Sequence, residues 1–190
     1  MGKIYTVVNQ KGGVGKTTTS INLGAYLGQF GQKVLLIDLD PQANATSCLG
    51  IDRHKVETGI YEVLIGARNA ADCILHNPRF KISLIPSSPN LSGAEIEMID
   101  LPDRERRLES IIQTLVSHYD YILIDCPPSL GLLTLNGMIA ANAELKALIR
   151  DQDAEIQRLR FDVARLTAQL QGVTEANGWQ YEPCFCRDGE

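Results

Sequence analysis

The residues of this chain best able to do chemistry lie in a glycine-rich run close to the N-terminus. The run consists of Lys11, Gly12, Gly13, Val14, Gly15, Lys16, Thr17 and Thr18. Glycines allow successive backbone N–H groups to turn toward one anion. A lysine ammonium then supplies a point charge, and the threonine hydroxyl that follows it can bind Mg²⁺. The run predicts a loop that holds the phosphates of a nucleotide.

The loop departs from the usual phosphate-loop pattern at its first position. That pattern begins with a glycine five residues before the last glycine of the loop, and Gln10 stands there in this chain. A second lysine, Lys11, follows directly. The variant is more restrictive than the ordinary pattern, so the sequence favours a nucleotide loop over a glycine turn without a ligand.

Carboxylates follow two apolar runs further along the chain. The run 34–37 is followed by Asp38 and Asp40, and the run 121–124 is followed by Asp125. Uninterrupted apolar runs are typical of parallel strands buried on both faces. Such strands bring their carboxyl ends, where ligands bind, to one edge of a sheet. A lone aspartate after a strand is more often a cap or turn residue, but beside a phosphate loop these carboxylates predict a site for nucleotide-bound Mg²⁺.

The elements that must position these residues alternate between strands and helices. Strands are predicted at 3–8, 33–38, 80–85 and 121–125, and helices at 16–30, 60–64, 103–116 and from 132 onward. This alternation predicts an α/β domain with a doubly wound, mostly parallel sheet of the P-loop NTPase type. The predicted domain covers residues 1–143.

After residue 143 the pattern changes. Apolar residues recur at alternating spacings of four and three, at Leu145, Ile149, Ile156, Leu159, Val163, Leu166, Leu170 and Val173, with Gln152 in the same series. Mostly β-branched residues at one heptad position and leucines at the other favour a two-stranded coiled coil. The sequence predicts a coiled-coil helix over 144–173 and an irregular tail over 174–190, and a single helix packed against the domain is the alternative.

Composition and charge indicate the cellular environment of the protein. The 190 residues carry a net charge of −5, with no marked cluster of lysines or arginines. The five cysteines are odd in number and irregularly spaced, which is typical of reduced thiols. There is no signal-peptide pattern or long apolar span, so we expect a cytoplasmic protein that does not enter a membrane.

Three segments carry a family resemblance. They are Asn9-Gln10 before the loop, Asp38-Leu39-Asp40-Pro41-Gln42-Ala43-Asn44-Ala45-Thr46, and Asp125-Cys126-Pro127-Pro128-Ser129-Leu130-Gly131. They resemble the ParA/Soj family of plasmid and chromosome partition ATPases. The related MinD branch is similar in the loop and a poorer match in the first two segments. The resemblance covers the chain to about Ala141 and then stops.

The resemblance implies how the nucleotide would be held. Lys16 would bind the β- and γ-phosphates of ATP. Thr17 would bind Mg²⁺, with Asp125 reaching the ion through water and Asp38 supporting the metal site. The implied cofactors are therefore ATP and Mg²⁺.

The resemblance also implies the catalytic residues and the partners. Asp40 would position the attacking water, and Lys11 would reach the phosphates of a partner subunit, so hydrolysis would require a homodimer. A ParB-like partner protein and non-specific DNA binding are implied as well. The family's DNA-binding residues belong to its C-terminal part, and residues 146–190 show no equivalent of them.

Three functions remain open from the sequence. The chain is a ParA-like ATPase impaired by the loss of the family's C-terminal part, a non-catalytic nucleotide-binding or dimerisation module, or an inactive truncated remnant. The resemblance further implies that the missing part supplies a strand beside the first one. We therefore expect the strand over 4–8 to have one open side.

Overall fold

The computed structural model describes residues 2–141, in which strands and helices alternate as the sequence predicts. The strands are β1 (Lys3–Val7), β2 (Val34–Asp38), β3 (Leu75–Asn77), β4 (Ile82–Ile85) and β5 (Tyr121–Asp125). The α-helices are α1 (Lys16–Gln29), α2 (Asn44–Cys48), α3 (Ile60–Leu64), α4 (Leu91–Glu97), α5 (Arg107–Gln113) and α6 (Leu132–Ala140). None of these helices has the length and apolar character that crossing a bilayer requires.

The chain divides into two units, Met1–Asn142 and Ala143–Glu190, and the described residues belong to the first. The predicted coiled-coil helix over 144–173 and the tail over 174–190 lie outside the described residues. Both stay predictions, as does the boundary at residue 143.

The described strands form one sheet in the order β1-β5-β2-β4-β3. The first four are parallel, and β3 runs antiparallel to β4 at the edge. The predicted doubly wound, mostly parallel sheet is therefore confirmed. In this register Val7 and Asp38 both lie opposite Asp125, so the strand ends that carry the carboxylates meet at one edge of the sheet.

Helices cover both faces of the sheet, because β2 and β5 are apolar on both sides. On one face, α1 and α2 pack over a cluster that includes Ile21, Leu36 and Leu123. On the other face, α3 to α6 pack over a cluster that includes Leu35 and Ile122. Alternate residues of the same strand thus enter opposite cores, as buried parallel strands require.

The sequence analysis did not predict β3, α2 or α4. β3 consists of three residues, two of them exposed, so it lacks the apolar run from which a strand could be predicted. α2 and α4 have only five and seven residues, too few for a clear helical period. The predicted helix over 103–116 is also shorter than expected, because Asp103 has a left-handed φ of 51° and forms a turn before α5 begins.

β1 lies at the edge of the sheet within the described residues, where its paired neighbour is β5. Its side chains Ile4 and Thr6 are nevertheless buried. The Thr6 hydroxyl donates to the Gly137 carbonyl at 2.6 Å, which ties β1 to α6. A Cβ on Gly137 would lie 2.6 Å from the Cys126 sulfur, so glycine is what permits this close approach of α6.

The helix that follows the phosphate loop also packs closely through glycine. A Cβ on Gly28 would lie 2.6 Å from the Lys81 carbonyl oxygen and 2.9 Å from that of Phe80, which are backbone atoms. We expect Gly28→Ala to lower the free energy of unfolding by about 1–3 kcal/mol, although alanine favours helix, because α1 would have to move off the sheet. Urea denaturation measures this change.

Gly24→Ala is the matched control in the same helix. Its Cβ would meet the Leu123 methyl carbon Cδ1 at 3.3 Å, an atom that a small side-chain adjustment can move. Equal stability of the two variants would contradict the close backbone packing at Gly28.

Candidate nucleotide-binding site

The glycine-rich loop connects β1 to α1 and depends on left-handed backbone at two glycines. Gly13 has φ 69° and Gly15 has φ 87°, a region in which a residue with a Cβ is strained by about 1–2 kcal/mol. Gly15 lies directly before the first residue of α1, and its carbonyl accepts from the Thr19 N–H at 2.8 Å. The loop therefore delivers the chain into α1 at the helix end where backbone N–H groups are available to an anion.

Both lysines of the loop lie at this helix end. The Lys16 ammonium donates to the Lys11 carbonyl at 3.3 Å and so spans the loop. The Lys11 N–H donates to the Asn9 side-chain oxygen at 3.0 Å, which fixes the start of the loop. The first turn of α1 contains no acidic residue. No carboxylate of that turn therefore neutralises the positive N-terminus of α1 or the charge of Lys16.

Asp125 ends β5 and is buried below the loop. Its Oδ1 accepts from the Ser20 hydroxyl of α1 at 3.1 Å, while Oδ2 is buried without a hydrogen-bond partner in the protein. Burial raises the pKa of Asp125 to about 6, against the opposing effect of the nearby Thr17 and Ser20 hydroxyls. The Asp40 charge raises this pKa further, and the Lys16 charge lowers it. Asp125 is therefore within electrostatic reach of both the loop lysine and the second predicted carboxylate.

Asp38 lies opposite Asp125 on β2 and is fully buried. Its Oδ1 accepts from the Asp40 N–H at 3.2 Å, and its Oδ2 accepts from the Thr46 N–H at 2.8 Å and the Thr46 hydroxyl at 2.7 Å. Burial and then the Asp125 charge raise the pKa of Asp38 to about 7, against the opposing effect of the Thr46 hydrogen bonds. Protein donors therefore engage both oxygens of Asp38.

Asp40 lies two residues beyond the end of β2 and is 6% exposed. Its Oδ1 accepts from the Gln42 N–H at 2.9 Å, and its carbonyl accepts from the Ala43 N–H at 2.8 Å. Ala43 has a left-handed φ of 51°, although it is fully buried. This strained turn sends the chain back into α2, so that Thr46 reaches Asp38.

The structure thus brings together the predicted residues of the loop with Asp38, Asp40 and Asp125. It also reveals three hydroxyl residues to which the sequence reading gave no role, namely Ser20, Thr46 and Ser87. Ser20 could have been noticed, because it lies one turn after Lys16 and is a polar residue on the buried side of α1. Nothing in the sequence around Ser87 indicates a role at the site, since its position beside the end of β2 follows from the strand order.

A metal ion fits this site only when a bound ligand supplies further oxygen atoms to coordinate it. The described residues contain no group of three or more carboxylate, histidine or cysteine side chains that could enclose an ion. They do offer the unpartnered Oδ2 of Asp125 next to Thr17. Mg²⁺ commonly takes one or two protein oxygens and completes its shell with phosphate oxygens and water, so the donor set is appropriate for nucleotide-bound Mg²⁺.

The fold and the loop define the class of protein. P-loop nucleotide-binding proteins have a glycine-rich loop, ending in lysine and threonine, between a strand and a helix. The loop lies in a mostly parallel sheet, and aspartates follow neighbouring strands, as in this chain. The sequence model of a family described as an AAA domain matches residues 2–155. The chain belongs to that family and represents the N-terminal portion of a ParA/MinD-type ATPase.

Relatives and solved structures agree with this assignment. The chromosome-partitioning ATPase Soj of Treponema pallidum is 51% identical over 142 residues, which are 75% of this chain and 55% of the relative. The sporulation initiation inhibitor protein Soj of Bacillus subtilis is 50% identical over 143 residues, 75% of this chain and 56% of the relative. A cobyrinic acid a,c-diamide synthase from Mycobacterium smegmatis, solved with an ATP analogue and magnesium, has a TM-score of 0.72 and 41% identity over 74% of this chain and 57% of its own.

Two facts follow from these comparisons. The predicted ParA/Soj resemblance is confirmed, and the predicted cofactors, ATP and Mg²⁺, are of the kind bound in that synthase structure. The chain also spans little more than half the length of the relatives it matches.

The raised pKa of Asp125 predicts how stability depends on pH. Because the folded protein holds this proton more tightly than the unfolded chain, the stabilisation is complete below pH 4 and is lost as the pH rises through about 6. The free energy of unfolding should therefore fall between pH 4 and 7. We expect Asp125→Asn to remove on the order of 3 kcal/mol of that fall, at 1.36 kcal/mol for each pKa unit.

Urea denaturation at several pH values in this range measures the difference. Asp120→Asn is a control, because Asp120 lies at the other end of β5 and its carboxylate accepts from the Lys33 N–H in an exposed position. Asp38 also titrates in this range, so the comparison is between the two falls. A wild-type protein whose stability falls no more with pH than that of Asp125→Asn would contradict the burial of an ionisable Asp125.

Proposed function

We propose that this chain binds Mg·ATP at the glycine-rich loop and hydrolyses it as a ParA-like partition ATPase. The observation that carries the proposal is the unpartnered, buried Oδ2 of Asp125 beside Thr17 and Lys16. A carboxylate oxygen buried without a donor is unfavourable by itself. It becomes favourable when a cation lies next to it, and a nucleotide in the loop supplies that cation.

The loop binds the phosphates through three features of this chain. Gly13 and Gly15 permit the backbone to turn its N–H groups to one side, and the N-terminus of α1 adds its partial positive charge. Lys16, which spans the loop through the Lys11 carbonyl, is placed to exchange that contact for phosphate oxygens. These interactions fix the phosphate chain before any reaction takes place.

The metal would be held by Thr17 and Asp125. When bound, Mg²⁺ neutralises charge on the phosphates. Ser20 holds Oδ1 of Asp125 and thereby orients the carboxylate, and the buried Asp38 adds a second negative charge in register with it. The proposed metal residues are thus Thr17, Asp38 and Asp125, with Asp38 acting at longer range.

Hydrolysis would depend on Asp40 and Lys11. Asp40 is almost buried, and its Oδ1 is fixed by the Gln42 N–H, so its carboxylate is held in position to orient a water molecule. Lys11 is exposed on the loop and would reach the phosphates bound by a second copy of the chain. A homodimer formed with nucleotide is therefore part of the proposal.

The relatives suggest the biological setting. Two of them are Soj proteins, one named as a chromosome-partitioning ATPase. We infer a role in DNA partition in the cytoplasm, with a ParB-like partner protein. The family's non-specific DNA binding is implied as well, although residues 146–190 show no equivalent of the residues that carry it. Binding of Mg·ATP without turnover is the second candidate, because the groups that hold Asp125 are separate from those that hold the Asp40 turn.

The two loop lysines separate binding from turnover. We expect Lys16→Ala to abolish both Mg·ATP binding and hydrolysis, because it removes the charge that faces the phosphates. Lys11→Ala should retain binding and lose hydrolysis, since that lysine acts on the partner's nucleotide. Isothermal titration measures binding, and phosphate release at several protein concentrations measures turnover and its dependence on dimer formation.

The outcomes distinguish the two candidate functions. Wild-type turnover that rises with protein concentration and is absent in both variants supports the ATPase. Binding by the wild-type chain without turnover identifies the non-catalytic module. Absence of binding at millimolar Mg·ATP, or equal phosphate release from wild type and Lys16→Ala, would contradict the proposal.

Metal binding should also depend on pH. Since Asp125 must be ionised to hold Mg²⁺ and its pKa is about 6, the affinity for Mg²⁺ in the presence of ADP should fall by roughly tenfold for each pH unit below that value. In Asp125→Asn, residue 125 no longer titrates, so the affinity for Mg²⁺ changes with pH only through the titration of the nucleotide. If the two proteins show the same pH dependence, Asp125 is not a metal residue.

A further inference from the structure

Two buried hydroxyl residues connect β4 with the segment that carries Asp38 and Asp40. The Ser87 N–H donates to the Thr46 hydroxyl oxygen at 2.9 Å, and the Ser87 hydroxyl donates to the Asp40 carbonyl at 2.7 Å. Ser87 and Thr46 are both completely buried. Ser87 lies just beyond β4, and β4 is the strand paired with β2 in the sheet.

The direction of these hydrogen bonds follows from their partners when Asp38 is ionised. Because the Thr46 oxygen accepts from the Ser87 N–H, its own proton is free to go to Asp38 Oδ2, at 2.7 Å. The Ser87 proton goes to the Asp40 carbonyl, since a carbonyl can only accept. A single residue thus supports both aspartates of the β2 end, through its N–H for one and its hydroxyl for the other.

Among the hydrogen bonds of the described residues, the backbone of Asp40 is held by its own turn and by the Ser87 hydroxyl. The Asp40 N–H bonds to Asp38 and its carbonyl accepts from Ala43, and both partners lie within three residues in sequence. Ala43 has a left-handed φ, so this turn is strained. Ser87 is 47 residues away in sequence, and its bond ties the turn to the rest of the sheet.

We propose that Ser87 is a positioning residue for ATP hydrolysis, which holds the Asp40 backbone so that the carboxylate meets the attacking water. The inference rests on the proposed function and adds a residue to it. Ser87 acts through Asp40 and does not touch the phosphates. Its loss should therefore reduce turnover while the affinity for nucleotide is kept.

Ser87→Ala in the full-length chain tests this role. The variant keeps the backbone N–H that holds Thr46 and removes only the hydroxyl that holds Asp40. We expect kcat for ATP hydrolysis to fall by roughly 10- to 100-fold, the effect of a small misplacement of a reacting group. KM for ATP and the dissociation constant of Mg·ADP should stay at their wild-type values.

The neighbouring Ser88 provides the matched control. It is also buried, and its carbonyl accepts from the Leu91 N–H at the start of α4. Ser88→Ala removes a buried hydroxyl one residue further along and should leave kcat unchanged. Ser87→Cys is a second variant, which keeps nearly the same volume and replaces the hydroxyl that donates to the Asp40 carbonyl by the weaker S–H donor. It should also lower kcat with nucleotide affinity kept.

The possible results separate this inference from the function on which it rests. A wild-type kcat in Ser87→Ala, an equal fall in Ser88→Ala, or a joint loss of kcat and Mg·ADP affinity in Ser87→Ala would overturn the positioning role alone. If Ser87→Ala does not fold, a wild-type kcat in Ser87→Cys overturns it. A wild-type chain that binds Mg·ATP without turnover overturns the inference together with the proposed hydrolysis.

Discussion

Two carboxylates buried side by side constrain everything at this end of the sheet. The pairing of β2 with β5 places Asp38 opposite Asp125, and both are fully buried. Burial raises the pKa of each, and the Asp125 charge raises that of Asp38 further. Such a pair is stable only where donors or cations compensate it. Thr46 supplies two donors to one carboxylate, Ser20 supplies one to the other, and the remaining oxygen is left for a cation.

The parallel topology explains why the compensating groups come from distant parts of the chain. Parallel strands end at the same edge, so α1 after β1, the Asp40 turn after β2 and the Ser87 segment after β4 all meet there. Each of these connections brings polar groups to the carboxylates from a different direction. The cluster is buried beneath the glycine-rich loop, which brings the positive charge of Lys16 and of the α1 N-terminus from above. The site thus combines buried carboxylates at the strand ends with the positive charge of the loop lysine and of the helix N-terminus.

The sequence predicted the parts of this arrangement that rest on local pattern. The apolar runs before Asp38 and Asp125 identified the central strands, because residues buried on both faces must be apolar throughout. The glycine spacing identified the loop, since few sequences place lysine and threonine after such a run. Thr46 and Ser87 could not be found in this way. Their roles come from strand order, and an isolated hydroxyl residue is as common in a surface turn as at a buried carboxylate.

The hydroxyl residues divide the site into two networks that share no side chain among the described hydrogen bonds. Ser20 in α1 holds Asp125, the carboxylate nearest the loop lysine. Thr46 and Ser87 hold Asp38 and Asp40, and reach them from α2 and the end of β4. In the proposed function, binding of Mg·ATP would depend on the first network, and orientation of a water molecule would depend on the second. Because different elements carry the two networks, the proposed binding and the proposed turnover depend on different parts of the chain.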